Sequence, residues 1–151
     1  MDPDSPAREL RVAVTVEDYE AAVRFYRDAL GLPVIESWDQ GQDRRGMVLA
    51  AGRATLELLS TAQTGLVDRI EAPGPHPDTG GPGRAGAGPP VRLAIEVDDS
   101  AAAAESLVAG GAERLGGPVI TPWQHRNVRL RAPDGLQLTL FTVLDPEGPA
   151  P

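Results

Sequence analysis

Two stretches of this chain repeat each other in the same order, and the repeat constrains the fold more than any other feature. The segment RVAVTVED, from Arg11, aligns with RLAIEVDD, from Arg92. Further along, LELL, from Leu56, aligns with LTLF, from Leu138. The separations are nearly equal, 81 and 82 residues, which favours a duplicated module. Because 151 residues suffice for one domain, we predict two similar modules that share one core.

Each half of the chain has the residue pattern of a strand, a helix and three further strands. Apolar and other residues alternate over residues 10–16, which indicates a strand buried on one face. A helix follows, capped by Asp18 and ended by Gly31. The other predicted strands are 33–38, 45–51, 53–59, 91–97, 113–120, 124–131 and 136–142, with a second helix over about 100–109. The predicted order is therefore βαβββ twice.

Glycine and proline content sets the predicted boundaries. Residues 73–90 hold 12 Gly or Pro in 18 positions and no apolar periodicity, which predicts a flexible connector. The first module then spans residues 10–72 and the second spans 91–142. Residues 1–9 are predicted to be a disordered N-terminal tail, and residues 143–151 a C-terminal tail.

Composition argues against several classes of function. The 14 basic and 22 acidic residues give a formal charge of −8, which opposes binding to nucleic acids or anionic membranes. With no cysteine, the chain can form neither disulfides nor thiolate metal sites. No apolar run approaches the roughly 18 residues of a membrane span, and the first residues lack the pattern of a signal peptide. We predict a cytoplasmic protein without nucleic-acid or membrane partners.

The order of elements and three short segments resemble the glyoxalase, bleomycin-resistance and extradiol-dioxygenase superfamily, also called vicinal oxygen chelate proteins. The segments are FYRDALGL in the first helix, PW before the penultimate strand and RAPDGLQLTLF at the end. The resemblance covers residues 10–142. It implies an α+β fold in which two βαβββ modules form a half-open, cup-like eight-stranded barrel with helices outside. It also implies a homodimer.

In the metal-dependent members, the resemblance implies one metal ligand from the first strand of each module and one from the last. The matching positions are Arg11 and Arg92 on the first strands, and Glu57 and Thr139 on the last. Only Glu57 is a usual ligand, because a guanidinium has no lone pair for a metal and a threonine hydroxyl is a poor substitute for a carboxylate. We therefore predict no metal site and no other cofactor.

Alternation along the strands places these four residues on one inner wall. Two interpretations are open for the charges: the arginines hold an anionic ligand while Glu57 orients them, or Arg11, Glu57 and Arg92 form a structural ion pair. Trp38 and Trp123 could stack on a planar ligand or serve in ordinary packing. His125 could be a base, but a position at the surface or rim is favoured. The predicted ligand-binding residues are Arg11, Trp38, Glu57, Arg92, Trp123 and Thr139.

Three functions agree with this pattern to different degrees. The favoured one is a metal-independent protein, similar to the bleomycin-resistance branch, that binds a small natural product or antibiotic. An anionic and planar ligand would suit the arginines and the indoles. The alternative is a metal-independent isomerase, cyclase or lyase, with Glu57 or Glu96 as the base and the arginines stabilising an oxyanion. The least favoured is a metal-dependent glyoxalase or dioxygenase that recruits His125. Binding is favoured over catalysis because it needs neither a metal nor a nucleophile.

Overall fold

The computed structural model of the chain describes residues 4–73 and 91–144, so nearly all of the predicted connector and C-terminal tail lie outside the described residues. The first module contains β1 (Ala7–Val16), α1 (Tyr19–Val23), β2 (Val34–Asp39), β3 (Arg45–Ala51), β4 (Ala54–Ser60) and α2 (Thr61–Glu71). The second contains β5 (Val91–Val97), α3 (Ser100–Ala109), β6 (Glu113–Ile120), β7 (His125–Arg131) and β8 (Gln137–Val143). A π-helical stretch, Arg24–Ala29, continues α1.

The eight strands form one mixed, open sheet in the order β2-β3-β4-β1-β5-β8-β7-β6. Strands β1 and β5 pair antiparallel and join the two modules within this chain. In both modules the first strand pairs parallel with the last, β1 with β4 and β5 with β8. This equivalence is what a duplicated module produces, and the predicted α+β, cup-like fold class is confirmed.

Two hydrophobic clusters, one for each module, lie between the sheet and its outer helices. The first cluster consists of Tyr19, Val23, Met47, Leu49 and Leu58. The second consists of Ala104, Val128, Leu130 and Leu140. Val14 and Val16 pack against the first cluster, as Ile95 and Val97 do against the second. The alternate residues of β1 and β5 therefore face the opposite, concave side, as predicted.

Helix α2 is not in the prediction, and it lies on the concave face. The hydroxyl groups of Thr15 and Thr64 are 2.9 Å apart in a buried hydrogen bond between β1 and α2. At the other end of the helix, a Cβ on Gly116 would lie 2.1 Å from the carbonyl oxygen of Glu71, so only glycine permits this approach. The prediction that the helices lie outside holds for α1 and α3 alone. The sequence does not indicate helix α2, because the side chains that this helix buries are polar and form no apolar stripe.

The predicted tails are shorter than expected. Strand β1 begins at Ala7, which pairs with Val97, so residues 7–9 are ordered strand and not tail. Glu9 also fixes this part of β1 to β4, because its carboxylate accepts a hydrogen bond from the hydroxyl of Thr55 at 2.8 Å. Strand β8 extends to Val143. In the described part of the chain, no helix combines the length and apolar character that crossing a bilayer requires.

Candidate functional site

A cavity of about 220 Å³ opens on the concave face, between the strands and α2. Small-molecule sites usually have volumes of about 300 Å³ or more, so this cavity suits one ring system with short substituents. The structure brings all six predicted ligand-binding residues to its wall: Arg11, Trp38, Glu57, Arg92, Trp123 and Thr139. Other polar residues complete the lining: Glu36, Gln40, Gln63, Glu71, His125, Asn127 and Arg129.

A buried ion network forms the α2 end of the cavity. The Nη1 atoms of Arg92 and Arg129 donate to the same oxygen, Oδ1 of Asp68, at 2.7 and 2.6 Å. Arg129 also places Nη2 3.3 Å from Oε1 of Glu71, and the hydroxyl of Thr139 donates to that oxygen at 2.9 Å. All five side chains are less than a tenth exposed. Two cations and two anions balance, as buried charges require.

Three members of this network, Asp68, Glu71 and Arg129, are absent from the predicted site. Arg129 falls at an inward position of a predicted strand, so alternation could have indicated it. The two carboxylates lie three residues apart on α2, and no pattern identified that helix. As a result, the predicted ion pair has a different partner: Arg92 binds Asp68 of α2, and not Glu57.

Arg11 belongs to a second group of charges, on the first module's side of the cavity. Its Nε donates to Oε1 of Glu9 at 3.1 Å, and its Nη1 lies 3.7 Å from Oε2 of Glu57. The Arg11 guanidinium also lies 5.1 Å from the centre of the Phe141 ring. Arg11 is therefore bound mainly to Glu9, and its contact with Glu57 is longer than a hydrogen bond.

Glu57 is the most perturbed acid of the cavity. Burial raises its pKa to about 7, and the carboxylates of Glu71 and Glu36 add to the rise, whereas Arg11 and Arg92 oppose it. A carboxyl group with such a pKa can give or accept a proton near neutral pH. Its side chain is 17% exposed, so it remains accessible from the cavity.

Glu96, the second predicted base, does not line the cavity. It pairs across the β1–β5 ladder with Glu9. Burial, and then the neighbouring charge of Glu9, raises the pKa of Glu96 above its ordinary value. Because the residue lies off the cavity wall, its geometry supports a catalytic role less than that of Glu57 does.

His125 lies in the lining and not on the outer surface. Its ring stacks on Phe141, with ring centroids 5.1 Å apart and planes at 16°. Burial, followed by the positive charge of Arg11, lowers the pKa of His125 below its ordinary value, so the imidazole is neutral at neutral pH. A neutral ring offers both a donor and an acceptor to the cavity.

Trp38 and Trp123 are two of the aromatic residues that line the cavity. The Trp38 indole lies directly on the backbone of Gly46, its partner in the β2–β3 ladder. A Cβ at Gly46 would fall 2.0 Å from Cζ2 of that indole, so the ring needs glycine beneath it. Trp123 is 36% exposed, which leaves part of its ring open to solvent. An indole held at a cavity wall can stack on a planar ligand or bind a cation.

The residues at the four positions where the family resemblance implies metal ligands do not fit a divalent cation. Arg11 and Arg92 are each bound to a carboxylate, and Thr139 donates to Glu71. In residues 4–73 and 91–144, no group of three or more His, Asp or Glu side chains is arranged to hold a metal ion. Guanidinium groups in place of ligands offer a metal no lone pair. This donor set departs from that of the metal-dependent members.

Solved structures share this fold at low sequence identity. A hypothetical protein from Bacillus halodurans is 16% identical, with a TM-score of 0.62 and coverage of 92% of this chain and 96% of its own. Methylmalonyl-CoA epimerase from Mycobacterium tuberculosis is 20% identical, with a TM-score of 0.60 and coverage of 100% and 94%. A Streptomyces coelicolor methylmalonyl-CoA epimerase variant in complex with 2-nitronate-propionyl-CoA is 23% identical, with a TM-score of 0.60 and coverage of 96% and 100%.

At these identities the likeness concerns the fold alone. No curated protein sequence matches the chain significantly. The family model described as the Glyoxalase/Bleomycin resistance protein/Dioxygenase superfamily matches residues 10–140, which include both modules. The chain therefore belongs to the glyoxalase/bleomycin resistance protein/dioxygenase superfamily.

Proposed function

We propose that this protein binds a small organic molecule in the concave cavity without a metal ion. The observation that carries the proposal is the composition of the cavity lining, where two indoles occur together with arginines at the positions where the family resemblance implies metal ligands. Concave sites with aromatic walls and a few polar groups are typical of small-molecule binding. Such a protein acts by sequestering its ligand. We further propose that it protects against an antibiotic, that it is cytoplasmic and that it forms a homodimer.

The charge balance favours a cationic or neutral ligand over the anionic ligand predicted from sequence. Arg92 and Arg129 are neutralised by α2, and Arg11 is bound by Glu9. Glu36, by contrast, lines the cavity without an ion pair among the described residues, and Glu57 has only the long contact with Arg11. An anion would add to this surplus of negative charge, whereas a planar cation would gain from the carboxylates and the indoles.

Tryptamine, a planar amine, is a direct probe of this proposal. Calorimetric titration should detect binding to the wild type, and Trp123→Ala should weaken it by ~1–3 kcal/mol, the size of a stacking interaction on an aromatic side chain. Phe25→Ala is the matched control, because Phe25 is an exposed aromatic residue that does not line the cavity. Equal affinity in wild type and Trp123→Ala would remove this indole from the site.

A second candidate is a metal-independent enzyme that moves a proton on carbon, such as an isomerase, cyclase or lyase. The specific observation in its favour is Glu57, whose pKa of about 7 suits a general base at neutral pH. The structural neighbours include methylmalonyl-CoA epimerases, so an acyl-CoA with an acidic carbon is a reasonable first substrate. In D₂O, wild-type protein should incorporate deuterium at that carbon, and Glu57→Gln should abolish incorporation. If both exchange equally, Glu57 is not the base.

A further inference from the structure

Several polar side chains at the α2 end of the cavity are buried with unused hydrogen-bonding atoms. Arg92 Nη2, Asn127 Oδ1 and Arg129 Nε have no hydrogen-bond partner among the described residues. Each of these side chains also lines the cavity, and each residue is at most 5% exposed. Gln63 of α2 also lines the cavity and buries an unpaired Oε1. Buried polar atoms are almost always paired in folded proteins, so unused ones along a cavity wall indicate a role in binding. We call Arg92, Asn127 and Arg129 the polar floor.

The three residues lie close together because their neighbours hold them. Arg92 and Arg129 donate to the same oxygen of Asp68, which puts the two guanidinium groups side by side. Asn127 lies two residues before Arg129 on β7, so both side chains project from the same face of the strand. Each arginine therefore uses one part of its guanidinium on α2 and has donor atoms left over.

The charge of the polar floor is already balanced. Asp68 and Glu71 neutralise Arg92 and Arg129 within the buried network. A carboxylate or phosphate placed there would bring an unbalanced charge into a buried site, which is costly. An uncharged group that accepts from the arginines and donates to Asn127 satisfies all three residues at no such cost.

We propose that the polar floor binds an uncharged amide or lactam group of the ligand. The carbonyl oxygen accepts hydrogen bonds from Arg92 and Arg129, and the amide N–H donates to Asn127. This inference rests on the proposed function and adds to it the chemical class of one end of the ligand. The planar or cationic part then lies toward Trp38, Trp123 and Glu57.

Three indole probes that differ only in their side chain separate the charge classes. Indole-3-acetamide carries the amide, indole-3-acetate a carboxylate and tryptamine an ammonium group. We expect indole-3-acetamide to bind at least tenfold more tightly than indole-3-acetate. Arginine-detected NMR of the wild type should show a shift of the Arg129 Nε–H signal with indole-3-acetamide and none with tryptamine.

Asn127→Leu removes the proposed hydrogen-bond acceptor and keeps the side chain at nearly the same size. Gln137→Leu is the matched control, since Gln137 also buries an unpaired Oε1 but does not line the cavity. Leucine at an unpaired polar site should leave the melting temperature unchanged or raised in both variants. Only Asn127→Leu should then lose affinity for indole-3-acetamide, by tenfold or more, while tryptamine binding stays within twofold.

The outcomes separate this inference from the function on which it rests. Tryptamine binding without preference for the amide over the carboxylate would overturn the polar floor and leave the cavity proposal standing. A strongly lowered melting temperature in Asn127→Leu alone would show that Asn127 has a structural partner, and would also overturn it. If none of the three probes binds at millimolar concentration, the proposed function fails, and the polar floor as a ligand site fails with it.

Discussion

At Glu57, burial raises the pKa, the positive charges of Arg11 and Arg92 lower it, and burial dominates. Its position on the inner wall follows from alternation along β4, so the sequence was enough to predict where it points. The same holds for Arg11 and Arg92. Their partners were not predictable in this way, because Asp68 lies on a helix whose residues show no apolar periodicity. Residue types and strand period thus predict a wall, but not its ion pairs.

The raised pKa of Glu57 makes a signed prediction for stability against pH. Its folded pKa, about 7, lies above the ordinary value of 4.5, so the native state binds more protons between these values. Stability should therefore fall as pH rises through this window. Glu57→Gln removes the titration, and at pH 8 it should be more stable than wild type by about 1–3 kcal/mol. Denaturant unfolding at pH 5 and 8 measures this.

The exposed Glu105→Gln is the control for that experiment, because Glu105 lies on the outer helix α3. Its stability should follow the wild-type curve at both pH values. Parallel curves for wild type and Glu57→Gln would mean that Glu57 titrates near its ordinary pKa and is not the perturbed acid of this cavity.

Gly46 makes a separate prediction about the position of Trp38. A methyl group at Gly46 would occupy the space of the indole, with Cβ 2.0 Å from Cζ2. Gly46→Ala should displace the ring and cost ~1–3 kcal/mol through overpacking. In a Trp123→Phe background, the fluorescence of Trp38 should shift toward that of an exposed indole. Gly110→Ala, where the nearest atom is 3.4 Å away, should leave the spectrum unchanged; a change in neither variant would contradict the packing described.

At the scale of elements, α2 decides the character of the cavity. The strands alone would leave two buried arginines without partners, and α2 brings the two carboxylates that balance Arg92 and Arg129. Strand boundaries were predicted to within a few residues because the alternating pattern is strong there. Helix α2 was not predicted because its buried face consists of Gln63, Thr64, Asp68 and Glu71. Such a polar pattern is typical of a loop.

Asp68→Asn tests the role assigned to α2. The substitution keeps the size of the side chain but leaves two buried guanidinium groups without their shared charge. Breaking a buried ion pair in this way costs about 3–5 kcal/mol, which denaturant unfolding can measure. Asp98→Asn, in the exposed pair with Arg8, should change stability little. A loss in Asp68→Asn no larger than in Asp98→Asn would mean that α2 does not compensate the arginines.

At the scale of the whole molecule, duplication gives two similar halves, and α2 makes their concave faces unequal. The sequence repeat predicted the paired modules, since the strands of both halves carry the same pattern. Arg11, Glu57, Arg92 and Thr139 line the cavity, at the positions where the family resemblance implies metal ligands. The molecule as a whole therefore agrees better with a binding cavity for an organic molecule than with a metal centre.

Thermal unfolding of chelator-treated protein against divalent metals and small planar ligands, tryptamine and indole-3-acetamide included, tests this claim most directly. A ligand at 100 times its dissociation constant should add about 2.7 kcal/mol, a rise of roughly 5–10 °C in Tm. We predict such a rise with at least one organic ligand and none with Mg²⁺, Mn²⁺, Fe²⁺, Ni²⁺ or Zn²⁺. A rise of that size with a metal that Glu57→Gln abolishes would contradict the account, because it would place a metal among the residues that we describe as unable to hold one.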